Sequence, residues 1–383
     1  MSSADSKLRD LQESSLASDH DQIRSQMDGR GTTSLKGIPI IIPDLKPQGA
    51  FSAASEPRRA FLTMLAGNYD EAVFGVVGLA KGLKKVMSKY ALVVAFLADM
   101  SEEHCKLLAS NGCIVKRIEP VFRAPYGTNY SKLRIWEFEE YDKMIYLDGN
   151  VQVFKNIDHM FDYPDSYFYA ALDCFCDKSW SRNPQHKIGY CQQWPNKAQW
   201  DPTSGPKPPL YFNADMFVFE PSVATYGDLV KTLQTSPTTA FAEQDLLNEF
   251  FKDKLVALAP HYNLMVPMLW RHPEAVELDR VKVVNYCANG SKPWSYTGKE
   301  ENMEREDVKM LVDKWWEIYD DDSLDYMKTL TSAKVGRGTG QVNLQPVTSI
   351  KAGKGTDQVN LQPSEAGFPE TGADEFTFAS FAA

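Results

Sequence analysis

Lys143-Met-Ile-Tyr-Leu-Asp-Gly-Asn-Val-Gln-Val153 is the stretch from which the fold class is read. Met144 to Leu147 is an apolar run without a turn residue, the pattern of a parallel strand covered on both faces. Asp148 ends the run, Gly149 frees the backbone to turn, and Asn150 places a second polar side chain two residues on. In open α/β sheets, ligands sit beyond the carboxyl ends of the strands. An acid-x-polar triplet at that rim can aim two oxygens at one hard cation, and the cation can hold a diphosphate. Alone, such a triplet is ordinary turn chemistry, so its surroundings decide.

Before this stretch, strands are predicted over residues 59–66, 91–97 and 113–118. Helices over 72–90 and 101–110 separate them, and Gly75, Gly78 and Gly82 in the first allow close packing on the sheet. Strand and helix alternating at this spacing argue for a parallel α/β sheet. Residues 129–140 have a helical period from Leu133 and Trp136, with Ser131 as cap, and bring Lys132 and Arg134 near the rim. After Asn150 the chain reads extended over 151–154, helical over 156–161, and as a strand over 167–173 that ends in Asp173. Residues 174–209 are loop-rich and predict a wall of the cleft. The strand expected at 210–220 carries two polar residues, Asn213 and Asp215, between apolar flanks. Pro221 opens a helix to about 233. A second helix spans 241–251 with Glu243, Gln244 and Asp245 in its first turn, where the macrodipole favours acids. A late strand at 281–287 and an amphipathic helix at 302–319 complete the pattern.

The chain has 383 residues, 43% hydrophobic and 12% aromatic, enough for a large core. Its patterned part, 58–330, predicts one domain. The polar extension 1–57 is expected to be disordered. The tail 331–383 is of low complexity, and its Gln341-Val-Asn-Leu-Gln-Pro346 recurs as Gln358-Val-Asn-Leu-Gln-Pro363. A net charge of −10 without a basic run argues against nucleic acid. No signal-like apolar segment and no run of 18 apolar residues predict a cytoplasmic protein that does not span a membrane. Nothing in the sequence identifies a protein partner. Six cysteines in a domain of this size read as reduced thiols. Cys174-Phe-Cys176 with Cys191 is a weak zinc pattern, so structural thiols are favoured over zinc. No G-x-G-x-x-G follows the first strand, which disfavours a nicotinamide enzyme.

The blocks Gly75-Val-Val-Gly-Leu-Ala-Lys-Gly82, Asn129-Tyr-Ser-Lys-Leu-Arg-Ile-Trp-Glu-Phe138, Lys143–Val153, Lys187-Ile-Gly-Tyr-Cys-Gln-Gln193, 241–248 and Gly290-Ser-Lys-Pro-Trp294 are similar to those of the plant galactinol synthases. These are family 8 retaining glycosyltransferases, and the resemblance covers roughly 59–326. It implies a GT-A type nucleotide-sugar transferase fold with a mainly parallel central sheet flanked by helices. It also implies UDP-galactose as donor, myo-inositol as acceptor, manganese as cofactor, and a product that feeds raffinose-type sugars. By the same resemblance Asp148, Asn150 and Asn285 hold the metal. Lys292, after Gly290, and Lys132 reach the diphosphate. Gln244 lies at the sugar face with Glu243 and Asp245 beside it as the catalytic group, and Asp173, Asn213 and Asp215 hold sugar hydroxyls.

Three positions depart from the family pattern. Position 150 is an amide where an acid is expected, 285 is Asn where His is expected, and 215 is Asp where Gly is expected. An amide oxygen supplies no negative charge, and imidazole is a preferred manganese ligand. Two further readings therefore stay open: a non-catalytic paralogue with a degraded metal site, and a UDP-sugar transferase with another acceptor.

Overall fold

The computed structural model describes residues 57–67, 69–97, 100–123, 129–174, 191–193, 199–237 and 241–325. The expectations for the two ends of the chain and for most of the 174–209 wall lie outside these residues.

The chain opens with β1 (Arg59–Leu65), α1 (Tyr69–Lys85), β2 (Leu92–Phe96), α2 (Glu102–Ser110) and β3 (Ile114–Arg117). A 3-10 helix, Asn129–Glu137, leads into β4 (Lys143–Leu147) and β5 (Val151–Val153). Then come β6 (Phe168–Leu172), β7 (Phe212–Phe219), α3 (Val223–Thr235), α4 (Ala242–Phe251), β8 (Leu255–Leu258) and β9 (Leu264–Met265). The single turn α5 (Met268–Arg271), β10 (Val283–Asn285) and α6 (Glu306–Tyr319) follow.

Seven strands form one sheet in the order β3-β2-β1-β4-β7-β6-β8. All pairings are parallel except those of β7, which runs antiparallel to both β4 and β6. Every residue of β4 is buried, as its unbroken apolar run predicts for a central strand. Alternate side chains divide between two layers. Phe61, Val94 and Ile145 pack with Val76 and Leu79 of α1. Leu62, Val93 and Tyr146 pack with Trp136, Phe217 and Leu247 on the other face. A small sheet, β5-β10-β9, stands beside the large one over a third cluster that holds Met265, Val284 and Trp315.

Several local expectations are corrected. Ser131 lies inside the 3-10 helix, not before it as a cap, and its hydroxyl accepts from the Val121 N–H at 3.0 Å. Helix α3 is capped by Ser222, which accepts from the Thr225 N–H, so Pro221 lies before the cap. The last helix begins at Glu306, since Asn302 has a left-handed φ of 66°. Strands β8 and β9 have no counterpart among the expected elements; runs of four and two residues carry too little period to identify. The glycines of α1 do permit close packing, though not on the large sheet. A Cβ on Gly75 would lie 2.0 Å from the Gly149 carbonyl, one on Gly78 2.5 Å from Trp315, and one on Gly82 2.1 Å from Gln152. Among the described residues, no helix is long and apolar enough to cross a membrane.

Candidate active site

The site begins where β4 stops. Pairing of β4 with β7 matches Leu147 to Met216, which sets Asp148 opposite Asp215, and the Asp148 N–H donates to the Asp215 carbonyl at 2.8 Å. Gly149 turns the chain over Gly75 of α1, and the Val151 N–H closes the turn on the Asp148 carbonyl. The Asn150 carbonyl accepts from the Tyr286 N–H, and Val151 pairs with Asn285. This short turn therefore ties the large sheet to the small one.

Asp148 Oδ2 accepts from the Tyr146 hydroxyl at 3.2 Å and lies 3.7 Å from Lys132 Nζ. Lys132 is buried. Its Nζ also donates to Glu243 Oε1 at 3.1 Å and lies 4.7 Å from the centre of the Tyr146 ring. Burial opposes its charge, but Tyr146, Glu243, Asp148 and Asp215 hold its pKa well above the usual lysine value. Glu243 is buried too, and burial raises its carboxyl against the pull of Lys132. Lys132 and Glu243, assigned from the sequence to diphosphate binding and to catalysis, thus form a buried ion pair beneath the site.

Asp215 is held from below. Its N–H donates to Asn213 Oδ1 at 3.1 Å, and its Oδ2 accepts from Asn285 Nδ2 at 2.9 Å. Burial and then the Asp148 charge raise its pKa, with Lys132 and the two amide side chains opposing. Asn213 joins two halves of the site: its Oδ1 also accepts from Asn263 Nδ2, and its Nδ2 lies 3.5 Å from Asp173 Oδ2. Asn150 and Asn285 each bury a side-chain oxygen with no hydrogen-bond partner among the described residues.

Asp173 ends β6 and is buried. Its pKa is pushed up to about 7, chiefly by burial, against the N–H of Cys174 and the amide of Gln244 that favour the anion. Gln244 is fully engaged. Its Oε1 accepts from the Ala214 N–H at 2.9 Å, and its Nε2 donates to Asp173 Oδ2 at 2.9 Å and to the Tyr211 hydroxyl at 3.2 Å. Tyr211 in turn donates to Asp245 Oδ1 at 2.7 Å. One helical turn on, Asn248 accepts from the Phe212 N–H and donates to the Phe212 carbonyl, which locks α4 against β7. Gln192 completes this wall by donating to the carbonyls of Asp173 and Tyr211.

Gly290 has φ +77°, and a Cβ there would meet Glu300 at 2.6 Å, so only glycine fits this turn without strain. Two residues on, burial lowers the Lys292 pKa, while the charges of Asp148, Glu71 and Asp215 oppose the shift.

Sequence reasoning did not identify Tyr146, Tyr211, Asn248, Gln192 or Asn263. Of these, only Asn248 carried a signal, four residues after Gln244 on one helix face. The fold brings a histidine that is distant in sequence to two of the cysteines. His272 Nε2 lies 3.3 Å from Cys174 Sγ and 3.4 Å from Cys191 Sγ, and these contacts push its pKa up to about 10. Cys176 lies outside the described residues. Among the described residues, no group of three or more His, Cys, Asp and Glu side chains is placed to hold a metal ion.

The family model for Glycosyl transferase family 8 matches residues 61–298. Galactinol synthase 2 of Solanum lycopersicum is 61% identical over 290 residues, covering 73% of this chain and 86% of that protein. Galactinol synthase 1 of Arabidopsis thaliana is 60% identical over 298 residues, covering 75% and 86%. Among solved structures, the apo-form glycosyltransferase GlyE of Streptococcus pneumoniae TIGR4 superimposes with a TM-score of 0.50 at 16% identity, over 72% of this chain and 64% of that one. The apo bifunctional glycosyltransferase WbbM gives 0.50 at 16% identity, over 74% and 53%. At this identity the two structures speak to the fold, which is of the GT-A type.

Proposed function

We propose, from the premise that this chain belongs to glycosyl transferase family 8 and to its galactinol synthase branch, that it moves galactose from UDP-galactose to myo-inositol with retention of configuration. The observation that carries this reading is the meeting of Asp148 and Asp215 at the end of β4, with Lys132 3.7 Å from Asp148, beside the Asp173–Asn213–Gln244 wall.

Breaking the bond from sugar to diphosphate leaves negative charge on the departing phosphate. Lys292, two residues after the turn that Gly290 shapes, is the side chain we assign to stabilise that charge as it develops. Lys132 acts from beneath, holding Asp148 and Glu243 in place. Asp173 and Asp215 offer carboxylate acceptors to sugar hydroxyls, and Asn213, whose oxygen is already taken by the Asp215 N–H and Asn263, links the two. Gln244 fixes the wall against which the reacting face of the sugar lies, with Asp245 holding Tyr211 beside it. Retention follows from attack on the face that the leaving group vacates, or from a group beneath the sugar, and Gln244 is the side chain nearest that role.

A divalent cation fits the rim, because Asp148 and Asp215 meet there and the neighbouring Asn150 and Asn285 each bury an amide oxygen without a hydrogen-bond partner among the described residues. When bound, it supplies Lewis-acid neutralisation of the diphosphate. Manganese is the proposed ion, and a cytoplasmic location is the proposed setting.

Release of UDP from UDP-galactose and manganese, measured with and without myo-inositol, tests the reading. Inositol-dependent turnover is expected. No turnover from protein shown to be folded would overturn it in favour of a non-catalytic relative, and turnover with a different acceptor would replace the inositol assignment.

A further inference from the structure

At the rim, Asp148 and Asp215 each engage Oδ2 with protein partners, and neither Oδ1 has a hydrogen bond among the described residues. Asn150 and Asn285 each bury an Oδ1 with no hydrogen-bond partner among the described residues. Four side chains from the end of β4, from β7 and from β10 thus each keep one oxygen without a hydrogen bond among the described residues. Each buried acceptor without a partner costs roughly 1–3 kcal/mol. Like charges directly opposite on antiparallel strands add a further penalty, and Asp148 and Asp215 are such a pair. Lys132 offsets part of it, but its Nζ is shared with Glu243 and sits on the Oδ2 side of Asp148.

We infer that Asp215 is itself a cation ligand in this chain and supplies the second carboxylate that position 150 lacks, with Asp148 and the amide oxygens of Asn150 and Asn285 completing the donor set. The inference rests on the reading that this rim holds the diphosphate cation. It revises the assignment of Asp215 to a sugar hydroxyl. A set built only of oxygens is that of a hard cation. With no imidazole in the set, magnesium and manganese are bound with similar affinity.

The test is calorimetric titration of the full-length protein with manganese chloride and with magnesium chloride, each with UDP present, for wild type and Asp215→Asn. Manganese affinity in the variant is expected to fall by about tenfold or more, as loss of a charged ligand implies. Its melting temperature without cation is expected not to fall, because the carboxylate repulsion is gone; this shows that the variant is folded. Wild type is expected to bind the two metals within about tenfold of each other. Smaller loss in Asp215→Asn, no cation binding by wild type, or a wider preference for manganese would overturn the inference. Unchanged affinity in the variant together with inositol-dependent turnover would sink this inference alone. Asp215-dependent cation binding without turnover would sink only the proposed reaction.

Discussion

A buried carboxyl at the sugar wall makes stability depend on pH in a definite direction. Asp173 has a pKa of about 7 in the fold against 3.8 for the free side chain, so the folded state resists its ionisation. Its favourable contribution is complete below about pH 4 and is lost as pH rises through 7, at most about 4 kcal/mol. Urea midpoints from pH 4 to 8 should therefore fall more steeply for wild type than for Asp173→Asn; parallel curves would place the titration elsewhere. The amides at 150 and 285 allow a second prediction. Asn150→Asp combined with Asn285→His adds one charge and one imidazole to the rim, and manganese affinity by calorimetry should rise about tenfold or more. No change would mean that the cation sits away from these two positions. At this scale the sequence was informative about which residue types gather, because the strand end at Asp148 and the acids of α4 are local features. It did not show that Lys132 and Glu243 pair with each other, since 111 positions separate them and only the packing of α4 brings them together.

Helix α1 is the element that holds the Asp148 turn from below. Gly75 leaves room for the Gly149 carbonyl and the Trp294 ring, which a Cβ would approach to 2.0 and 2.7 Å. Backbone cannot yield as a flexible side chain can, so Gly75→Ala should cost roughly 1–3 kcal/mol or more and weaken cation binding with it. Gly227 of α3 is the contrast, because a Cβ there would meet nothing within 4 Å. There Gly227→Ala should stabilise by about 0.5–1 kcal/mol and leave cation affinity alone. Denaturant melts of both variants check the opposite signs. The glycine spacing was visible in the sequence as a device for close approach, but what approaches was not. Gly75, Gly78 and Gly82 meet a turn, a tryptophan of α6 and a glutamine of β5, all distant in the chain.

Across the whole molecule, the site joins two sheets. Asp148 and Asp215 come from the large sheet, Asn285 from the small one, and the Asn150–Tyr286 bond spans them. A nucleotide and cation bound at this seam should stabilise the entire domain. At 100 times its Kd such a ligand adds about 2.7 kcal/mol, or roughly 5 °C in Tm. UDP with a divalent cation should give that shift, and UDP alone a smaller one; equal shifts would remove the cation from the nucleotide site. By itself the sequence determined the alternation of strands and helices, the buried centre at β4 and the acid at its rim. Those follow from side-chain period and from turn chemistry, which act within a few residues. The tertiary structure alone decided that β7 enters antiparallel between β4 and β6 and so places Asp215 across from Asp148. It also decided that His272 reaches Cys174 and Cys191 and that the small sheet brings Asn285 to Asp215. Such pairings depend on which distant surfaces bury one another, and no local pattern in the chain encodes that choice.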